Sequence, residues 1–177
     1  MYNLSDINTI KSILSKNGFS FSKALGQNFI IDDSVCPRMA DAAVPDEEYG
    51  VIEVGPGIGV LTAELAKRAK RVVAIELDDR LPPILADTLS DFDNVKIVSG
   101  DVMKIDLHAL IKEEFSDMPV VICANLHKRL CWLSYRGNDI SLIWNGRGYS
   151  RNQRSVRGIL CRCRASSTCV YLLLVCS

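Results

Sequence analysis

The sequence has little of what secreted, membrane-spanning or zinc-binding proteins usually show. Met1–Asn8 carries no basic segment and no apolar segment follows it, so we expect no secretory leader. The apolar run Val170–Cys176 is too short for a bilayer, which needs about 20 residues. The chain has two histidines, and its cysteines lack the paired two-residue spacing of zinc ribbons and fingers. These absences predict a cytoplasmic, thiol-reduced protein with no metal site and no membrane contact.

The net charge of zero conceals two parts of opposite sign. Residues 1–126 hold 12 Lys and Arg against 20 Asp and Glu, whereas residues 127–177 hold 9 against 1. Five of the seven cysteines and both tryptophans lie in residues 127–177, which contain no Glu, no Pro and one Ala. Such a change of composition indicates that the two parts have different origins.

Residues 127–177 show no clear period of two or of 3.6 residues. Arg, Ser and Leu, which have the most codons, are abundant there, as an unselected reading frame would yield. We therefore predict a folded part over residues 1–126 and, over residues 127–177, an out-of-frame, poorly structured, basic and cysteine-rich tail. The alternative is an extension that binds RNA or zinc, and the cysteine spacing disfavours the zinc site.

Residues 1–126 alternate between apolar strands and helices. We predict strands at 51–54, 71–76, 95–98 and 120–124, and helices at 4–14, 32–43, 61–69, from 82 onward, and at 107–115. Near-continuous apolar strands separated by helices favour an α/β fold whose parallel sheet is covered on both faces. If residues 127–177 are out of frame, we expect the fourth strand to be an unpaired apolar edge, which is a hazard for aggregation.

A glycine-rich turn and two acidic residues follow three successive predicted strands. Residues 51–59 read VIEVGPGIG, and a dinucleotide fingerprint would need its third glycine at position 60, which is Val60. This departure disfavours an NAD-dependent oxidoreductase. Glu76 is placed to accept hydrogen bonds from ribose hydroxyls, and Asp101 to accept one from an adenine amine. Either acid alone would be an ordinary strand end or helix cap, but the three together predict an adenosine-containing ligand.

Three segments carry a resemblance to a known family: Lys23–Phe29 (KALGQNF), Val51–Thr62 and Asn125-Leu126. Together they resemble the ribosomal RNA adenine dimethyltransferases, and KALGQNF is the most specific. The resemblance implies a Rossmann-like sheet, S-adenosylmethionine as cofactor, and dimethylation of the N6 amine of adjacent adenines in small-subunit ribosomal RNA by a monomer. The cofactor-binding residues that it implies are Gln27, Asn28, Ile30, Gly55, Gly57, Glu76, Asp101, Val102 and Asn125.

The catalytic motif of the family is only half present. The family has Asn-Leu-Pro followed by Tyr or Phe, whereas this chain reads Asn125-Leu126-His127-Lys128. Asn125 is the catalytic residue that the resemblance implies, and the loss of the Pro and the aromatic residue predicts an impaired chain. If the tail is out of frame, shifting the coding frame near codon 127 should restore Pro-Tyr after Leu126.

Two other functions remain open at this point. The first is methylation of large-subunit RNA, of the kind that gives macrolide resistance, and the second is a non-catalytic module that binds a nucleotide and RNA. His127 as a substitute stacking residue is a further alternative, but nothing after it resumes the family pattern.

Overall fold

The computed structural model describes residues 2, 4, 6–18, 34–126, 133–136, 139–142, 159–165 and 168–176. The helices within these residues are α1 (Ile7–Lys16), α2 (Val35–Ala43), α3 (Val60–Ala66), α4 (Pro82–Thr88) and α5 (Leu107–Phe115). The strands are β1 (Gly50–Val54), β2 (Arg71–Glu76), β3 (Val95–Ser99), β4 (Val120–Leu126), β5 (Leu133–Arg136), β6 (Asp139–Leu142), β7 (Ile159–Ala165) and β8 (Thr168–Cys176).

The main sheet has the order β3-β2-β1-β4-β8-β7. The first four of these strands run parallel to one another, and helices connect them along the chain. The predicted α/β fold with a Rossmann-like parallel sheet is therefore confirmed. The predicted strands and helices of residues 50–126 lie within three residues of the observed ones, because the apolar strand runs are short and bounded by glycine, proline and charged residues.

The edge of β4 is covered, so the prediction of an unpaired strand there is wrong. β8 pairs with β4 in parallel from Val120↔Val170 to Leu126↔Cys176, and β7 pairs antiparallel with β8. β8 reads TCVYLLLVC, and its valines and its tyrosine favour a strand although the sequence shows no regular alternation. β5 and β6 form a separate antiparallel hairpin. That residues 127–177 are out of frame stays a prediction.

Apolar side chains pack on both faces of the sheet. One cluster joins β1, β2 and β4 to α2 and α3, and it includes Met39, Leu65 and Cys123. The other joins the opposite face to α5 and includes Phe115 and Ile122. β1 is buried along its whole length because it lies inside the sheet, whereas the edge strand β3 is partly exposed. None of the described helices is long and apolar enough to cross a membrane.

Helix α1 packs on the same layer as α4. Ile10, Ile13 and Leu14 are buried in one cluster with residues of α4 and its flanking turns, as the helical spacing of these apolar residues predicts. The Asp6 carboxylate caps the helix by accepting a hydrogen bond from the backbone N–H of Thr9 at 2.9 Å.

Ion pairs join α5, β2 and β3 at the edge of the sheet where the strands begin. The buried carboxylate of Glu114 on α5 accepts hydrogen bonds from Arg71 at the start of β2 and from Lys96 on β3. These two bonds to cations hold the pKa of Glu114 below its usual range. The edge is therefore fixed by charge as well as by apolar contact.

Gly50, the first residue of β1, leaves room for the ring of Phe115. A Cβ atom on residue 50 would lie 2.2 Å from Cδ1 of Phe115, whose side chain is fully buried. Such a distance is far below van der Waals contact, so the ring or the strand would have to move.

We expect the Gly50→Ala substitution to lower the free energy of unfolding by about 1–3 kcal/mol, the usual cost of overpacking a core. Urea denaturation of both proteins measures this change. In a Phe115→Leu background the smaller side chain relieves the collision, so the cost of Gly50→Ala should fall. An equal cost in both backgrounds would show that Phe115 is not what the added methyl group meets.

Candidate functional site

The carboxyl ends of β1, β2 and β3 meet at one edge of the sheet. The parallel register pairs Val54 with Ile75 and Glu76 with Ser99. Two backbone hydrogen bonds continue this register beyond the strands: Gly55 N–H donates to the carbonyl of Ile75 at 3.0 Å, and Gly100 N–H donates to that of Glu76 at 2.8 Å. The structure therefore brings together the segments in which the sequence analysis placed the glycine turn and both acids.

The turn between β1 and α3, which we call the glycine loop (Gly55–Gly59), has an open surface and a packed end. Gly57 has a φ of +62°, and a Cβ there would meet no atom within 4 Å. Gly59 has a φ of +91°, and a Cβ there would lie 3.1 Å from Leu89. A ligand can therefore approach the backbone at Gly57, while Gly59 allows α3 to pack closely on its neighbours.

Glu76 at the end of β2 is bonded to the glycine loop. Its side chain is buried, and Oε2 accepts a hydrogen bond from Gly57 N–H at 3.2 Å while Oε1 accepts one from Asp78 N–H at 2.9 Å. Burial raises the pKa of Glu76, and these backbone donors oppose the rise. A carboxylate offers about four lone-pair positions, so ribose hydroxyls can bind the same group.

Asp101 and Val102 lie just beyond β3 and are half-buried. Oδ1 of Asp101 accepts a hydrogen bond from Met103 N–H at 3.0 Å, which holds the carboxylate in a tight turn. Val102 packs against the apolar cluster on the α5 face. These two residues thus present an acceptor and an apolar side chain beside each other.

Two apolar residues at this edge were not identified from the sequence. Leu77 directly follows Glu76 and is 68% exposed, and Met103 follows Val102 and is 59% exposed. Large exposed apolar side chains beside carboxylates suit a flat, heteroaromatic ligand such as a nucleobase. The only signal in the sequence is an apolar residue placed after the strand has ended.

Glu53 was also missed by the sequence analysis. Its side chain is 1% exposed, and among the described residues its Oε2 has no hydrogen-bond partner. Burial raises the pKa of Glu53 to about 7; the Thr62 hydroxyl opposes this rise and the charge of Glu76 adds to it. In sequence Glu53 is one polar residue within an apolar strand, and such a position gives no warning that the carboxyl group is fully enclosed.

Part of the predicted site lies outside the residues and side chains that the structure describes. Gln27, Asn28 and Ile30 lie outside the described residues. The backbone of Asn125 continues β4 one residue beyond the pair Val54↔Ala124, which places it at the same edge as the glycine loop. Its side chain is not among those described, so its role stays a prediction.

The two cysteines of the α/β part are buried in the apolar core. Cys36 on α2 and Cys123 on β4 belong to one cluster. Burial raises the pKa of the Cys36 thiol to about 12 and also raises that of Cys123. Both thiols are therefore neutral at physiological pH and pack as small apolar groups.

We expect Glu53 to make the folded protein less stable as the pH rises from about 4.5 to about 7. The pKa of this carboxyl group is higher in the folded chain than in the unfolded chain, so the folded chain holds the extra proton in that interval. Glu53→Gln should remove this pH-dependent loss of free energy of unfolding, which is on the order of 3 kcal/mol. Urea denaturation of both proteins between pH 4.5 and pH 8 measures the difference, and parallel profiles would contradict the assignment.

Comparison with known proteins places the α/β part in a family. A family model described as "Ribosomal RNA adenine dimethylase" matches residues 18–131. Ribosomal RNA small subunit methyltransferase A of Geobacillus thermodenitrificans is 56% identical over 117 residues, covering 66% of this chain and 40% of the relative. The protein of the same name from Streptococcus pyogenes serotype M5 is 48% identical over 124 residues, covering 70% and 43%.

A solved structure, that of the 23S rRNA methyltransferase ErmE, aligns with a TM-score of 0.44 at 32% identity, covering 54% of this chain and 36% of that one. This chain spans about two fifths of the length of the curated relatives that it matches. The family model covers more than half of the chain and contains the glycine loop, Glu76, Asp101 and Asn125. The chain belongs to the ribosomal RNA adenine dimethylase family.

Proposed function

We propose that residues 1–126 bind S-adenosylmethionine and are the cofactor-binding part of an enzyme that dimethylates the N6 amine of adjacent adenines in small-subunit ribosomal RNA. The observation that carries this proposal is the meeting of the glycine loop, Glu76 and Asp101 at one edge of the sheet. The family match and the names of the relatives support the substrate. The protein acts as a cytoplasmic monomer on the small ribosomal subunit.

The described residues suit an adenosyl group with a charged amino-acid end. Glu76 accepts hydrogen bonds from the two ribose hydroxyls and Asp101 accepts one from the adenine amine, while Val102 and Leu77 contact the ring. The open surface at Gly57 receives the methionine end, because no side chain there blocks the backbone. Gln27, Asn28 and Ile30 complete this end by resemblance to the family.

S-adenosylmethionine, when bound, supplies a methyl group on a positively charged sulfur. Asn125 is the residue of this chain that acts on the target base: its side-chain oxygen accepts a proton of the adenine amine through a hydrogen bond. This bond localises the nitrogen lone pair, which is otherwise delocalised into the ring. Such catalysis depends on positioning and electrostatics and needs no covalent intermediate.

We further propose that this chain holds the cofactor but transfers the methyl group poorly. His127 and Lys128 stand where the family has a proline and an aromatic residue, so the motif of this chain lacks the ring that stacks on the flipped base in the family. The acidic balance of residues 1–126 gives little attraction for RNA phosphates, and an out-of-frame tail of positive charge binds them without sequence preference.

Cofactor binding is tested by substituting the residue at the open surface of the loop. Gly57→Ala adds a methyl group where the ligand must lie, so we expect the affinity for S-adenosylmethionine to fall at least tenfold in calorimetry. Gly18→Ala is the matched control, because Gly18 has a similar φ of +69° and also meets no atom within 4 Å, but lies at the end of α1. Equal losses in the two variants would argue against a site at the glycine loop.

Catalysis is tested with labelled S-adenosylmethionine and small ribosomal subunits that lack the methyl groups. We expect the purified chain to bind the cofactor and to transfer label at least a hundredfold more slowly than a full-length relative, because positioning of the base contributes factors of this size. Transfer at the rate of the full-length relative would contradict the proposed impairment.

A further inference from the structure

The last two residues of β4 extend beyond the strand that flanks β4 on one side. The pairing of β1 with β4 ends at Val54↔Ala124. The next residue of the chain, Gly55, has a φ of +73°, which lies outside the extended region, so the backbone turns into the glycine loop there. β1 therefore does not continue its ladder to Asn125 and Leu126.

On the other side of β4, β8 is the described strand that pairs with these two residues. Its register places Val175 opposite Asn125 and Cys176 opposite Leu126. The described pairs between β7 and β8 end at Leu174. These four residues thus form a two-stranded extension of the sheet, which we call the paired tip (residues 125–126 and 175–176). Two strands alone are only marginally stable, so each strand of the tip depends on the other.

The strand that supplies half of the tip has no role by resemblance. The family model matches residues 18–131, and β8 begins at Thr168. Main-chain hydrogen bonds depend on strand geometry and not on the identity of the side chains, so a segment of any origin can hold β4 in this way.

We propose that Val175 and Cys176 are positioning residues for methyl transfer, because their main-chain pairing with β4 fixes the backbone of Asn125 at the edge where the glycine loop lies. The proposal rests on the proposed function for the role of Asn125. Without the pairing, the tip of β4 would have no neighbouring strand among the described residues. A displacement of about 1 Å in a reacting group lowers the rate of catalysis by a factor on the order of 100.

Cofactor binding and the position of Asn125 depend on different strands. Gly57, Glu76 and Asp101 are held by the pairing of β1 with β2 and of β2 with β3. In the order of the sheet, β4 separates these strands from β8. Loss of the paired tip should therefore lower the rate of methyl transfer more than the affinity for S-adenosylmethionine.

A pair of variants of the full chain separates main-chain pairing from side-chain effects. The proline variant, Val175→Pro with Cys176→Pro, removes both N–H groups of β8 at the tip. Leu174 then precedes a proline, and such a residue favours the extended conformation that Leu174 already has. The conservative variant, Val175→Ile with Cys176→Val, keeps both N–H groups and has side chains that favour strands.

Hydrogen exchange followed by NMR measures the pairing itself. One of the two amides of Asn125 and Leu126 faces β8, because successive N–H groups of a strand point to opposite neighbours. We expect this amide to exchange about fivefold faster in the proline variant than in the wild type, the net contribution of about one hydrogen bond. The amides of Ile122 and Cys123 should keep their protection in all three proteins, since their pairing with β1 and β8 is unchanged.

The rate of methyl transfer is measured in a single turnover, with the chain in excess over small ribosomal subunits that lack the methyl groups and with labelled S-adenosylmethionine. We expect the proline variant to transfer label at least tenfold more slowly than the wild type, because the base-contacting residue is displaced. The conservative variant should restore the rate. In calorimetry the affinity for the cofactor should differ less than threefold among the three proteins.

A slower rate with retained protection of Ile122 and Cys123, and recovery in the conservative variant, support the positioning role. Equal rates in the wild type and the proline variant overturn it, as does a loss of cofactor affinity as large as the loss of rate. Loss of protection throughout β4 also overturns it, because residues 175–176 would then stabilise the whole sheet. A wild type that binds the cofactor but transfers no label overturns it and leaves the cofactor assignment standing. Absence of S-adenosylmethionine binding overturns the proposed function as well.

Discussion

The parallel register that joins β1 to β2 and β2 to β3 is the constraint on which the candidate site depends. It aligns three strand ends, and the hydrogen bonds of Gly55 and Gly100 carry the alignment into the loops that follow. Without it, a glycine turn at residue 55 and acids at residues 76 and 101 would have no reason to meet. The helices and the apolar clusters on both faces hold that register in place.

The α/β part could be predicted from the sequence because its signals are local. The runs VIEV, RVVAIE and VVICA are buried strands, of which the first is followed by a glycine and the second ends at a charged residue, and Pro82 begins a helix where its missing N–H costs little. Positions such as Glu76 and Asp101 could be assigned because a residue that follows a parallel strand must lie at the binding edge. The resemblance to the family then supplied the residues of KALGQNF.

Other features depend on contacts that no local pattern records. The enclosure of Glu53 results from the packing of α2, α3 and β4 around β1, and the close approach of Phe115 to Gly50 joins residues 65 positions apart. The sequence predicts correctly that β2 ends before Leu77, but an apolar residue type gives no sign that its side chain is exposed. The pairing of β8 was missed because it depends on contacts with β4 and β7, which are distant in the sequence or lack a regular pattern.

The pairing of β8 with β4 has a consequence for the exposed edges of the sheet. Main-chain amides and carbonyls are the same in every residue, so a strand can be added to a sheet by a segment with no shared ancestry. An exposed apolar edge strand can pair with another chain, and here β8 covers β4 within the same molecule and leaves β3 and β7 as the outer strands of the sheet. If residues 127–177 are out of frame, the strand that covers β4 comes from a segment that has no counterpart in the family.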